Sequence, residues 1–200
     1  MKRRRVAQAV VALLLGLGSW QIASAGWIHA KALVAQRLIA SAWGDARDGG
    51  PARRPWPGAD MRPVARLMVP ARGADLYVLD NASARALAFG PAHVGGTAAP
   101  GSFGNSVLVA HRDTHFRFLQ RVEVGDEMVV EASGGRRIRY RVSEVTIMDK
   151  GEARLIDEPG APQLTLVTCW PFDAVRPGSS LRYVVVAERI DAPHDSMKPS

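Results

Sequence analysis

The sequence of 200 residues contains a single cysteine, and this scarcity excludes several kinds of site. One thiol cannot form an internal disulfide, a zinc site with two or four cysteine ligands, or a Cys-x-x-Cys redox motif. Internal repeats and low-complexity tracts are also missing from the sequence. The hydrophobic fraction of 47% and the charged fraction of 22% are ordinary for a globular protein, so the composition excludes a wholly disordered chain.

Acidic residues are scarce only in the first part of the chain. The net charge of +7 would by itself suggest nucleic acid or an anionic membrane as a partner. Residues 1–63 contain ten basic and three acidic residues, whereas residues 64–200 contain sixteen of each. A nucleic-acid-binding domain carries its positive charge on its own fold. We therefore expect no nucleic-acid partner for the domain that follows residue 63.

Charge is absent from residues 6–30, which follow the basic cluster Lys2–Arg5. As a helix this stretch would extend about 37 Å at about 1.5 Å per residue, enough for a hydrocarbon core of roughly 30 Å. Residues 1–30 are therefore predicted to be a basic cluster and a transmembrane anchor that keeps the cluster in the cytoplasm and exports the domain. The alternative is a cleaved signal peptide, because Ala23-Ser24-Ala25 fits a small-residue cleavage site.

The next segment, residues 31–63, separates the apolar stretch from the domain. Residues 31–43 have a loosely helical apolar pattern, which predicts a juxtamembrane helix. Residues 44–63 are rich in Gly, Pro and charge and have no periodicity, which predicts a linker.

From residue 64 onward, the apolar runs are short and are bounded by turn residues. Residues 133–135 (Ser-Gly-Gly) mark a hairpin, and residues 82–89 and 115–122 look helical. Residues 64–192 are thus predicted to form a mainly β domain, a closed barrel or a sandwich with short helices, followed by a polar tail at 193–200. The candidate strands are Ala65–Val69, Leu76–Leu79, Ser106–Ala110, Glu127–Ala132, Arg137–Ile147, Gln163–Thr168 and Arg182–Ile190.

Cys169 stands at the end of the apolar run 164–168, and Pro171 stops that strand. A thiol at the mouth of a strand is exposed to substrate while the sheet holds it rigidly. The alternative is a buried structural cysteine. A catalytic thiol needs a basic or cationic neighbour, because the thiolate is the nucleophile. His111 ends the run 106–110 in the same way, which makes it a better candidate than the other four histidines, His29, His93, His115 and His194.

Arg182 begins the last strand, after the reversing loop 177–180. If the strands on either side of this loop are antiparallel neighbours, Cys169 and Arg182 lie at the same end of the sheet. An acyl transfer needs a group that stabilises the oxyanion, and a guanidinium can serve. The alternative for Arg182 is a solvated residue at the end of a strand.

Together these motifs resemble the sortases, the cysteine transpeptidases of bacterial surfaces. The resemblance covers most of residues 64–190 and preserves the family order of His, Cys and Arg. The segment HRDTHF and the single N-terminal anchor look like the type found in Gram-negative bacteria (class GN, the marine proteobacterial type). The matching segments are TLVTC (165–169), LRYVV (181–185), VLVAHRDTHFRFL (107–119) and GTAAPGSFGN (96–105).

The resemblance implies a fold and a set of roles. It implies an eight-stranded β-barrel, with His111 as acid and base, Cys169 as nucleophile and Arg182 as stabiliser of substrate or oxyanion. The resemblance also implies that Thr168 supports the groove. From its spacing, two residues after His111, Asp113 would either orient His111 or be a solvated turn residue. Ala110 departs from the family pattern, which often has Gly there. The calcium-binding acids of some sortases cannot be matched to residues here, so we expect no metal and no cofactor.

The implied activity is cleavage of a Leu-Pro-x-Thr-Gly-like sorting signal between Thr and Gly, through a thioester that passes to an amine. The expected partners are a secreted protein with a C-terminal sorting signal, an amine acceptor and membrane lipid around the N-terminal helix. The expected location is the inner (cytoplasmic) membrane, crossed once, with the catalytic domain on the periplasmic or extracytoplasmic side. An exported cysteine peptidase and a noncatalytic β-barrel binding module are the alternatives.

Overall fold

The computed structural model of the protein describes residues 2–151, 162–174 and 178–190. The chain divides into two compact units, residues 1–37 and residues 38–200. A helix, α1 (Lys2–Arg47), makes up the described part of the first unit and ends within the second. Among the residues described, no helix is long and apolar enough to cross a membrane. The predicted polar tail at 193–200 lies outside the described residues.

Eight strands in the described part of the second unit form a closed barrel in the order β1-β2-β3-β4-β7-β8-β6-β5. The barrel closes through antiparallel pairing of β1 with β5. This confirms the mainly β prediction and decides in favour of a barrel over a sandwich. The strands are β1 (Pro63–Val69), β2 (Ala74–Leu79), β3 (Ala92–His93), β4 (Asn105–Val109), β5 (Glu127–Ala132), β6 (Arg137–Asp149), β7 (Gln163–Cys169) and β8 (Leu181–Arg189).

Alternating side chains fill the barrel, because successive residues of a strand point to opposite faces. In β6, Ile138 and Tyr140 are fully buried, whereas Arg137, Arg139 and Arg141 are exposed. The predicted hairpin joins β5 to β6, and Gly134 adopts a left-handed φ of 78° there. Only glycine adopts that conformation without steric cost, which explains the Gly pair at this turn.

The two helical segments predicted within the domain, residues 82–89 and 115–122, form shorter helices than the sequence predicts. The stretch 82–89 contains a single turn of helix, α2 (Ala84–Leu87), which begins where the Ser83 hydroxyl accepts a hydrogen bond from the Ala86 N–H. The stretch 115–122 forms a 3-10 helix over Arg117–Arg121. Four residues of this stretch are buried: Phe116, Phe118, Leu119 and Val122. The stretch is therefore helical in part, and its helix has the three residues per turn of the 3-10 type.

The predicted linker, residues 44–63, is only partly irregular and is not free of the barrel. Residues 44–47 complete α1, and Pro63 already belongs to β1. Between them, Ala59 and Met61 are buried, and Met61 packs in a cluster with Leu79 and Ala92 of the barrel. The sequence did not predict this attachment, because residues 44–63 are rich in Gly, Pro and charge, which indicates a linker.

Candidate active site

A parallel strand pair places His111 and Cys169 at one end of the barrel. Strands β4 and β7 run in parallel, with Val109 paired to Val167, and the Ala110 N–H donates to the Val167 carbonyl at 3.4 Å. His111 and Cys169 therefore both lie two residues beyond the last pair of the ladder. Cys169 is half-buried at the end of β7, whereas His111 is exposed. The sequence predicted that each of these residues ends a strand, and the parallel register places both strand ends at the same end of the barrel.

Arg182 is the cross-strand partner of Cys169 in the antiparallel pair of β7 and β8. Its guanidinium Nη1 donates to the carbonyls of Ser179 at 2.8 Å and Leu181 at 2.9 Å. These backbone contacts hold the guanidinium at the start of β8. The structure thus brings the three predicted residues, His111, Cys169 and Arg182, to the same end of three adjacent strands.

Thr168 joins the two strands immediately before the histidine and the cysteine. Its side chain is buried, and its Oγ1 donates to the Ala110 carbonyl at 2.7 Å. A second buried pair lies further along the same strands, where the Thr165 Oγ1 donates to the Asn105 Oδ1 at 2.8 Å. The hydrogen bond ties the end of β7 to the end of β4, and the role of Thr168 in supporting the groove stays a prediction.

Asp113 does not join this group. It is exposed in the turn after His111, and no hydrogen bond or ion pair links it to His111 within the described part of the chain. Its role in orienting His111 stays a prediction. Over residues 2–151, 162–174 and 178–190, no cluster of three or more His, Cys, Asp or Glu side chains is arranged to hold a metal ion.

A cleft of about 900 Å³ is lined by Arg112, Trp170 and Tyr183, the residues that directly follow His111, Cys169 and Arg182. One side comes from the segment after His111, and the other from the segment after Cys169 together with Tyr183 of β8. The second side is aromatic: the ring of Tyr183 stacks on Trp170 at 5.6 Å between centroids and meets Phe172 edge-on at 5.1 Å. Burial raises the pKa of the Tyr183 phenol, so this hydroxyl stays neutral at physiological pH.

Arg112 crosses this cleft. Its Nη2 donates to the carbonyl of Ala174 at 2.7 Å, although the two residues are 62 positions apart in the chain. The bond connects the residue after His111 to the connection between β7 and β8. Nothing in the sequence around Arg112 indicates this contact, because an Arg in a polar turn usually faces solvent.

His115 differs from His111 in its surroundings. It is half-buried and lines a separate small cavity with Arg72, Phe118 and Arg121. Burial lowers the pKa of His115, and the neighbouring His111 lowers it further. His115 is therefore a neutral, packed histidine at physiological pH, which agrees with its lower rank among the candidates.

The comparisons with known proteins point to one family. The model of the sortase domain matches residues 67–190. Sortase D of Bacillus subtilis (strain 168) is 30% identical over 125 residues, which are 62% of this chain and 62% of that protein, so the match spans less than two thirds of the relative.

Two solved structures have the same fold. The crystal structure of sortase C-1 from Actinomyces oris has a TM-score of 0.57 at 27% identity, covering 79% of this chain and 99% of that one. The Clostridium perfringens sortase D5 transpeptidase has a TM-score of 0.56 at 21% identity, covering 64% and 79% of the two chains. Because the family match includes both strand ends that carry His111 and Cys169, the site and the fold lead to one conclusion: this chain belongs to the sortase family.

Proposed function

We propose that the protein is a cysteine transpeptidase that cleaves a Leu-Pro-x-Thr-Gly-like sorting signal between Thr and Gly and transfers the acyl group to an amine. The observation that carries the proposal is the meeting of His111, Cys169 and Arg182 at one end of the barrel, with Cys169 and Arg182 as direct cross-strand partners. The family match supports the same activity.

In the first half of the proposed reaction, the Cys169 thiolate attacks the Thr carbonyl carbon and forms a C–S bond. The negative charge that develops on the carbonyl oxygen is stabilised by the Arg182 guanidinium. His111, as imidazolium, protonates the departing Gly nitrogen, the C–N bond breaks, and a thioester remains. In the second half, an amine attacks the thioester, gives its proton to His111, and displaces the Cys169 thiolate.

Hydrolysis of the thioester is the second candidate fate. His111 is exposed, so water reaches the base that would deprotonate it. A protein in which water wins would be an exported cysteine peptidase. The chemistry up to the thioester is the same, so only the products distinguish the two functions.

The experiment combines the protein with a Leu-Pro-Ala-Thr-Gly peptide and triglycine, and determines the products and the enzyme adduct by intact mass spectrometry. We expect an adduct on Cys169 and a peptide–triglycine amide. Cys169→Ala should lose adduct and product while keeping the circular dichroism spectrum and melting temperature of the parent. Full activity of Cys169→Ala would rule out the thioester, and release of the free acid alone would identify a peptidase. A folded parent protein that forms no adduct would instead favour the third alternative, a noncatalytic binding module.

We further propose that residues 6–30 attach the protein to the inner membrane and that the barrel faces the periplasm, as in the Gram-negative type of the family. The support is in the sequence: this stretch has no charged residue and follows the basic cluster Lys2–Arg5. Membrane lipid and a secreted protein with a sorting signal would be the partners. Blotting of membrane and soluble fractions tests the attachment, and a shortened soluble product would show cleavage after Ala25 instead.

A further inference from the structure

The position of His111 depends on its neighbours in the chain. The ring is exposed, and it makes no hydrogen bond within the part of the chain described. On one side of His111, the carbonyl of Ala110 accepts from the buried Thr168 hydroxyl. On the other side, Arg112 donates to the Ala174 carbonyl. The two bonds reach the residue before Cys169 and the connection after it, so they link both flanks of the histidine to both flanks of the cysteine.

The Arg112 bond also defines the cleft. Arg112, Asp113, Arg117 and Gln120 line the side that follows His111, and residues 170–173 with Tyr183 line the side that follows Cys169. Ala174 comes directly after the second set. The bond therefore ties the two sides together at 2.7 Å, and its loss would leave the width of the cleft without this constraint.

The chemistry of the proposed function assigns one partner to this cleft. His111 protonates the amine that leaves and deprotonates the amine that enters, so by microscopic reversibility both amines occupy the His111 side of the thioester. The lining of the cleft begins with Arg112, the residue after His111, and with Trp170, the residue after Cys169. An amine held in this cleft would therefore lie close to both groups.

We propose that Arg112 is a positioning residue for the amine half of the reaction: by bridging to Ala174 it holds His111 and the cleft in the arrangement in which an amine, rather than water, reaches the thioester. The inference rests on the proposed transpeptidase function. In the step concerned, the amine nitrogen bonds to the thioester carbon, the C–S bond breaks, the sulfur leaves as the thiolate, and the proton of the amine passes to His111. Water follows the same course with its oxygen in place of the nitrogen. Water needs no extended site, whereas an amine substrate does, so loosening the cleft should penalise the amine more than water.

The test is the ratio of amide product to free acid at a fixed triglycine concentration, with the Leu-Pro-Ala-Thr-Gly peptide as acyl donor. For Arg112→Ala we expect this ratio to fall roughly tenfold, since small misplacements of reacting groups cost one to two orders of magnitude. Arg112→Lys retains a charged donor and should recover part of the ratio. A merely structural defect would reduce the amount of active enzyme, which lowers both products together and leaves the ratio unchanged.

Variants of two other arginines distinguish the effect of losing the hydrogen bond to Ala174 from the effect of losing a positive charge. Arg117→Ala removes a positive charge from the same cleft without breaking a bridge, and a fall as large as that of Arg112→Ala would overturn the proposal. Arg121→Ala is the matched control, because this exposed arginine lies in the same segment but outside the cleft and should leave the ratio unaltered.

The outcomes also separate this inference from the proposed function. A parent protein that forms no Cys169 thioester, or only hydrolyses it, contradicts the transpeptidase function whatever Arg112 does. A parent that transfers to triglycine, with an unchanged ratio in Arg112→Ala, refutes the role of Arg112 alone. If Arg112→Ala does not acylate, Arg112→Met, which keeps a long side chain but has no N–H donor, provides the measurement, and a ratio equal to that of the parent again refutes the role of Arg112.

Discussion

The strand pair that carries the site and the opposite wall of the barrel hold their polar side chains in different ways. Between β4 and β7, the buried contacts are neutral hydrogen bonds: Thr165 to Asn105 at 2.8 Å and Thr168 to the Ala110 carbonyl at 2.7 Å. Across the barrel, β5 and β6 use ion pairs, such as Arg141 with Glu127 at 2.9 Å. Most of these charges face solvent, where screening leaves little net energy.

One ion pair on the opposite wall is an exception. Glu131 of β5 points outward, yet its side chain is only 4% exposed. It accepts from Arg137 Nε at 3.0 Å and from the indole Nε1 of Trp43 at 3.4 Å, and Trp43, on the last turns of α1, is itself buried. The comparison therefore separates three kinds of contact: a buried charge covered by a helix, buried neutral bonds at the site, and exposed ion pairs. Each should respond differently to substitution.

The largest effect on stability should come from Trp43→Ala. This change removes a large buried ring and uncovers the buried Glu131 carboxylate, so we expect a loss of about 3–5 kcal/mol in the free energy of unfolding. Trp43→Phe keeps much of the ring but not the N–H donor and should lose only about 1 kcal/mol. Urea denaturation of both variants measures the two values. Equal, small losses would mean that the helix end does not stabilise the barrel.

Thr168→Val, in the strand pair that carries the site, should have an effect of intermediate size. Valine has nearly the shape of threonine but leaves the buried Ala110 carbonyl without its partner, which costs about 1–3 kcal/mol of stability. Because that bond positions the residue before His111, peptide cleavage should also slow, roughly tenfold. Thr168→Ser keeps the hydroxyl and should retain most of the activity. Cleavage assays and urea denaturation test both effects, and a Val variant as active as the Ser variant would contradict the positioning role.

A smaller, pH-dependent effect should come from His115, on the same side of the barrel as the site. Burial lowers the pKa of His115 below its usual 6.5, so the folded state favours the neutral ring and the unfolded chain binds the proton more readily. The neutral ring of His115 therefore contributes fully to stability above about pH 6.5. This contribution is lost as the pH falls through the lowered pKa that His115 has in the folded state.

His115→Gln should remove this part of the acid sensitivity. The measurement is the free energy of unfolding in urea at pH 7.5 and 5.5 for the variant and the parent. Comparing the two proteins cancels the pH dependence that the other titrating groups contribute. An equal decline of the free energy of unfolding in both proteins would show that His115 makes no contribution.

The smallest effect should come from Arg141→Ala on the opposite wall. The guanidinium is 53% exposed and its partner Glu127 is 44% exposed, so we expect a change of about 0–0.5 kcal/mol, reduced further by salt. Melting temperatures at low and high ionic strength check this. A loss as large as that of Thr168→Val would remove the distinction between the two walls.

Much of the barrel was predictable because its strands are short apolar runs bounded by turn residues, and because the first half of β6 alternates strictly. The pattern from Arg137 to Val142 gave both the strand and its buried face, and the strand-end positions of His111 and Cys169 indicated the site before its geometry was known. Glu131 was missed because alternation assigns it to the solvent face, and only the covering helix makes that face buried.

Contacts between distant residues could not be predicted in the same way. The bond from Arg112 to Ala174 depends on the paths of two irregular segments, which no local propensity determines. The attachment of Met61 depends on a cluster assembled from several elements. The strand-end positions of the candidate site residues could therefore be predicted from the sequence, whereas the contacts that support these residues could not.

The parallel pairing of β4 with β7 also has a consequence for when the protein becomes reactive. Parallel neighbours need a long crossover, and here the hairpin of β5 and β6 lies between the two strands in the chain. The contact of Thr168 with Ala110 thus spans 58 residues, and such non-local contacts form late in folding. An unfolded or partly folded chain carries the thiol but not the assembled histidine and arginine, so the proposed acylation should be restricted to the finished barrel. Loss of thioester formation and loss of barrel structure should then coincide along a urea titration.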